Sequence, residues 1–273
     1  MIIDAHAHVW PDHIAAQVTA ANPAGLTSIG DGTVAGLIAT MDAAGIDKSC
    51  ALGVATVART VARTNEFIGT VDRSRLIPFG TVHPDLSVEE NLKSLADNGI
   101  RGVKFHPNFQ NASLADPRVI DIMTALAADG IVVVTHTGQG AHAAATERGA
   151  PRHVAALVEA VPDLTLIACH FGGYHLLDEA EKIVVGQRVV LETSWPPAVG
   201  ALDGVRIKDL IERHGADRVV FGSDWPMAHP AAEIESIRSW GLSAQDEAGV
   251  LGGNLARILG LENPEHQGES CRR

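Results

Sequence analysis

The chain has 273 residues, 46% of them hydrophobic and 20% charged, with a formal net charge of −12 and a sequence pI near 5.5. That balance is the one of an ordinary globular chain able to bury a core, and its acidity argues against nucleic acid or an anionic membrane as partner, since both reward a basic face. Cys50, Cys169 and Cys271 are odd in number and far apart, which reads as thiols in a reducing compartment rather than as a disulfide frame.

In chain order, short β-branched runs alternate with amphipathic helical patterns. "MIID" starts the series and is followed at once by an H-x-H pair, His6 and His8, with about 25 residues between His8 and the first helical stripe at Val34, Leu37, Ile38 and Met41. The next strand runs are "SCALGVA", "LIPFGTV", "RGVKF", "IVVVTH", "LTLIACH", "RVVLETS" and "RVVFGSD", eight in all with the first. Between them stand helix signals: Ser87 with Glu90 as a capping box, the stripe Val88, Leu92 and Leu95, and Asp116 before Pro117 as an N-cap with proline at the first helical position. Gly45, Gly99, Gly130 and Gly215 stand where helices stop. Eight strands each followed by a helix predict an α/β fold, a closed parallel (β/α)8 barrel, as a single domain over residues 1–262 with a polar tail over 263–273. An open doubly wound sheet lacks its main cue, because no G-x-G-x-x-G follows the first strand. The N-terminus shows no signal-peptide pattern and no run approaches the roughly 18 apolar residues of a membrane span, so a cytoplasmic protein is expected.

In such a barrel the active site gathers at the C-terminal ends of the strands. There the sequence places His6 and His8, His83, Lys104 and His106, His136, His170, Glu192 and Asp224, including six of the thirteen histidines. His6 and His8, two apart on a strand, point to one face about 7 Å apart and can share a cation with ligands from across the barrel. Imidazole nitrogen and one carboxylate suit Zn²⁺, and Mn²⁺ or Fe²⁺ accept the same set; an open position on the ion would hold a water whose pKa falls towards about 7. Asp4 shares the parity of the two histidines and should form a buried hydrogen bond beneath them. Trp10, Trp195 and Trp225 follow strands one, seven and eight and could wall a pocket or simply pack. Cys169, of opposite parity to His170, should turn outward under a helix, and His83 before Pro84 reads as loop packing.

The motifs "DAHAH", "GVKFHP", "VVTHTG", "ACHFGG" and "FGSDWP", followed by "GGNLARILGL", span nearly the whole chain in order. The sequence resembles the amidohydrolase superfamily, and more narrowly its branch that includes aminocarboxymuconate-semialdehyde decarboxylase and related hydrolases. The resemblance implies a divalent metal, one ion rather than two, bound by His6, His8, His136 and Asp224, with His170 as the catalytic residue that positions or deprotonates water and Asp224 assisting. In binuclear relatives a carbamylated fourth-strand lysine bridges two metals; here Lys104 stands at that height and is expected instead to meet substrate or a buried carboxylate, with His106, Trp10 and Trp225 as further substrate contacts. The implied function is metal-dependent hydrolysis of a small amide, lactone or cyclic ester. The alternative is non-oxidative decarboxylation of an unsaturated or aromatic acid, and the short first loop favours the hydrolase. A barrel that binds without catalysis is the third possibility. Small-molecule substrate, no nucleic acid and no membrane complete the expectation, and a homodimer is compatible with it.

Overall fold

The computed structural model describes residues 1–21 and 26–261. Eight parallel strands, β1 (Ile3–His8), β2 (Lys48–Leu52), β3 (Leu76–Thr81), β4 (Gly102–Phe105), β5 (Val132–Thr135), β6 (Leu166–Ala168), β7 (Val190–Glu192) and β8 (Val219–Val220), follow one another around a single sheet in chain order. Backbone bonds join its two edges: Ala5 N–H donates to Phe221 O at 2.9 Å, and Asp224 N–H to His6 O and His8 N–H to Trp225 O, each at 2.7 Å. The sheet therefore curls into the expected (β/α)8 barrel, and every strand lies within or across the run predicted for it. The boundary at residue 262, the tail 263–273 and Cys271 lie outside the described residues.

The helices are α1 (Asp12–Ala21), α2 (Val34–Ala44), α3 (Val61–Gly69), α4 (Val88–Asp97), α5 (Pro117–Ala128), α6 (Ala143–Arg148), α7 (Pro151–Ala160), α8 (Leu177–Ile183), α9 (Gly204–His214), α10 (Pro230–Ser239), α11 (Ala244–Ala248) and α12 (Asn254–Ile258). Their ends form as local chemistry dictates. Ser87 and Glu90 make the reciprocal capping box of α4, Asp116 accepts from Arg118 N–H to start α5 at Pro117, and Gly45 ends α2 at φ +69°. Helix α1 corrects the sequence reading of the first loop: it begins four residues after His8, and only Ala15 of it is buried, so it has no apolar stripe to announce it.

Alternation along the strands sorts the core in two. Ala51, Val103, Val133, Leu166, Leu191 and Val219 face the helices, while Cys50, Leu52, Phe79, Val134, Ile167 and Val220 pack inside the barrel, closed below by Leu255 and Ala256 of α12. β1 departs from this rule, because its register against β2 shifts between Asp4 and Ala7. The two-residue period therefore does not run unbroken from Asp4 to His8, and the expected shared face of Asp4 and the histidines is corrected accordingly.

Candidate metal centre

His6 is the hub of the mouth. Its Nδ1 lies 3.1 Å from Glu192 Oε2 and 3.3 Å from Ser194 Oγ, contacts reaching from the end of β7, two strands away, and the loop after it. A carboxylate there holds the proton on Nδ1 and leaves the lone pair on Nε2. That Nε2 meets His8 Nε2 at 3.2 Å, Asp224 Oδ1 at 3.2 Å and Lys104 Nζ at 2.9 Å, and His8 Nε2 stands 3.6 Å from the same Asp224 oxygen. Two imidazole nitrogens and a carboxylate oxygen thus converge on one point, a donor set of the kind that holds a divalent cation.

The electrostatics fit. Burial, reinforced by the Lys104 charge, holds His6 well below the ordinary histidine range, and burial with the neighbouring His6 does the same to His8, so both rings are neutral and able to ligate. Burial pushes the Asp224 carboxyl up to about 8, the Lys104 ammonium opposing it and Glu192 adding to it; a divalent ion reverses that preference. Asp224 holds a left-handed φ of +60° and His170 one of +59°, so the chain spends backbone strain to direct these two side chains. Gly222 makes room for the second support: a Cβ there would stand 2.1 Å from Glu192 Oε1.

The other expected residues fall into place around this point, some of them differently. Asp4 is buried and hydrogen-bonded as expected, but to His6 N–H, Ser223 N–H and Ser223 Oγ at 2.9, 2.9 and 2.6 Å, so it ties β1 to the end of β8; burial raises it to about 7. His170 Nδ1 rests on Ser194 O and Oγ at 3.1 and 2.9 Å, and its Nε2 faces His136 Nδ1 at 3.1 Å. His136 therefore stands outside the His6–His8–Asp224 convergence, turned to His170 and stacked at 4.3 Å on His106. His106 continues the stack onto Phe109, and its buried Nδ1 has no hydrogen-bond partner among the described residues. Trp10 stacks on His8 at 5.9 Å. Trp225 is fully buried against Gly30, where a Cβ would sit 2.6 Å from the indole. Trp195 and Tyr174 meet edge to face, and His83 caps its own loop by accepting from Asp85 N–H.

Cys169 is a correction. Its Sγ accepts from Lys104 Nζ at 3.3 Å inside the barrel instead of lying under a helix. Strand alternation carried from Ile167 puts Cys169 on the inner face, and the left-handed backbone at His170 then breaks the period, so that both side chains face the axis. Ser194 was not among the expected residues, and its role depends on a contact with His6 that spans 188 positions. Glu192 was visible as a charge in an apolar strand.

The amidohydrolase family model matches residues 3–261. Among solved structures the chain is similar to 5-carboxyvanillate decarboxylase from Sphingomonas paucimobilis (TM-score 0.70, 16% identity, 94% of this chain and 98% of that one). It is also similar to a protein from Pseudomonas putida assigned as a 2-pyrone-4,6-dicarboxylic acid hydrolase (0.68, 20%, 96% and 98%). A third is a dihydroxybenzoic acid decarboxylase from Polaromonas sp. JS666 with bound manganese and 2-nitroresorcinol (0.71, 16%, 97% and 98%). No curated protein sequence matches the chain. At these identities the structural likeness speaks for the barrel.

Proposed function

This chain belongs to the amidohydrolase family, and from that premise we propose that it is a metal-dependent hydrolase of a small amide, lactone or cyclic ester. The observation that carries the reading is the meeting of His6 Nε2, His8 Nε2 and Asp224 Oδ1 at 3.2 to 3.6 Å around one point. A single divalent ion, Zn²⁺ first and Mn²⁺ or Fe²⁺ on the same donors, would be held by these three, and His136, now turned to His170, would rotate in as the fourth ligand that the family resemblance implies. When bound, it supplies a water activated at neutral pH and a Lewis acid for the carbonyl.

The chain's own residues do the rest. Ser194 fixes the His170 ring by two contacts at Nδ1, and Nε2, which faces His136, would carry a proton between water and leaving group. Asp224 assists by taking a proton from the attacking water. Among the described residues, His106 offers a buried, unpartnered nitrogen to the substrate, and Lys104, with no carboxylate within 4.0 Å, offers a cation. Trp10 walls the mouth beside His8 and Trp225 backs it from beneath Gly30. No described helix is long and apolar enough to cross a membrane; a cytoplasmic enzyme, alone or as a homodimer, acting on a small molecule and not on nucleic acid, completes the proposal.

One observation favours the second reading, non-oxidative decarboxylation of an unsaturated or aromatic acid: the first loop carries α1, so it is not the short connection that spoke for a hydrolase. Assays on panels of lactones, amides and aromatic acids before and after chelation decide. Activity lost on chelation and restored by Zn²⁺ or Mn²⁺ upholds a metal enzyme, and full activity in metal-free protein defeats it. Isotopically labelled water then separates the reactions, because hydrolysis places solvent oxygen in the product and decarboxylation releases CO₂ without it.

A further inference from the structure

Cys169 has no part in the reading above, yet its surroundings are those of a ligand. Its Sγ and one nitrogen each of His6 and His170 all lie within 4.8 Å of one another, and none of the three residues is more than 2% exposed. Between two of them sits a positive group, since Lys104 Nζ is 2.9 Å from His6 Nε2 and 3.3 Å from Cys169 Sγ. The neighbouring set of two imidazoles and a carboxylate takes Mn²⁺ readily. A thiol with two imidazoles takes Zn²⁺ and softer ions in preference.

Both sets contain His6. A neutral imidazole has one lone pair, and Glu192 and Ser194 at Nδ1 fix on which nitrogen it lies. One ring then serves one ion at a time. We propose that Cys169, His6 and His170 form a thiophilic ion position beside the catalytic one and mutually exclusive with it, so that a soft ion bound there removes both His6 and His170 from catalysis. On binding, the S–H bond breaks, its proton leaves to solvent and an S–metal bond forms, with no change of oxidation state; the Lys104 amine gives up its contacts with sulfur and with His6 Nε2. Mn²⁺ would then sit with His8 and Asp224, Cd²⁺ with Cys169 and His170, and Zn²⁺ would divide between them. The inference rests on the metal-centre reading only through His6.

The test uses the metal-free full chain with Mn²⁺ and Cd²⁺ as probes. One equivalent of Cd²⁺ is expected to produce an ultraviolet thiolate-to-cadmium charge-transfer band and to release bound Mn²⁺ one for one, followed by electron paramagnetic resonance. Cys169→Ser should lose the band and keep Mn²⁺ binding. Cadmium NMR of the unmutated chain reads sulfur ligation directly and serves if the variant fails to fold. A band that persists in C169S, Cd²⁺ binding without a band or a sulfur-shifted resonance, or Mn²⁺ and Cd²⁺ held together would each overturn the proposal. Mn²⁺ that fails to bind while the Cd²⁺ band forms would instead sink the catalytic-centre reading and uphold the thiol position.

Discussion

The two ends of the barrel interior follow opposite rules. At the floor, Ile3, Cys50, Leu52, Phe79 and Ile167 interlock with Leu255 and Ala256, apolar side chains in regular alternation. At the mouth, Asp4, His6, Lys104, His136, His170, Glu192 and Asp224 are buried together. Burying so many ionisable groups is tolerated only because they pair or share hydrogen bonds. The difference teaches that folding is secured below and that the mouth is kept for chemistry, at some expense in stability. Each end should therefore answer to substitution in its own currency.

The largest expected effect is at the mouth. His170→Asn, which removes the ring held by Ser194, should lower kcat by about 10²–10⁴-fold while the unfolding midpoint stays level or rises. An inactive variant that is also strongly destabilised would erase the contrast between the two ends. The converse comes next: Phe79→Ala at the floor, where the ring is 1% exposed, should cost about 3–5 kcal/mol of stability in denaturant titration. Its turnover per folded molecule should be unchanged, and a loss of turnover would mean that floor and mouth are mechanically coupled. Smaller again is Glu192→Gln. The amide keeps the shape but not the charge that orients His6, so metal affinity measured by competition with a chelator should weaken about 10–100-fold. Unaltered affinity would show that Ser194 alone orients the ring.

How much of this was legible follows the same division. The floor and its strands could be read because hydrophobic runs with a two-residue period need no knowledge of distant residues, and the helix caps because Ser87–Glu90 and Asp116–Pro117 act within one turn. His6, His8 and Asp224 were legible as polar residues at strand ends for the same reason, while their reading as a ligand set came from the family resemblance. The failures sit where backbone geometry leaves the period: the register shift between Asp4 and Ala7, the positive φ at His170 that brings Cys169 and His170 to one side, and α1, whose face buries a single residue. The pairing of Ser194 with His6 exists only once the barrel has closed.

The smallest effect probes a carboxyl at the edge of the mouth that touches none of the proposed ligands. Glu233, in the first turn of α10, is 1% exposed, and Val199 N–H donates to its Oε1 at 3.0 Å and its Oε2 at 3.2 Å. Burial pushes its pKa up from 4.5 to about 8, with the Val199 bond opposing and the charge of Glu192 adding. Between those values the folded chain holds a proton that the unfolded chain releases. This group's contribution to stability is therefore fully present below pH 4.5 and is lost as pH rises through about 8. Glu233→Gln keeps an acceptor for Val199 and cannot ionise, so wild type and variant should be equally stable near pH 4.5. They should diverge in favour of the variant as pH rises from there, the gap being complete above about pH 8. Denaturant midpoints across that range, compared with those of Phe79→Ala, whose deficit should not vary with pH, test whether the penalty belongs to charge burial at the mouth; a pH-independent E233Q difference would show that it does not.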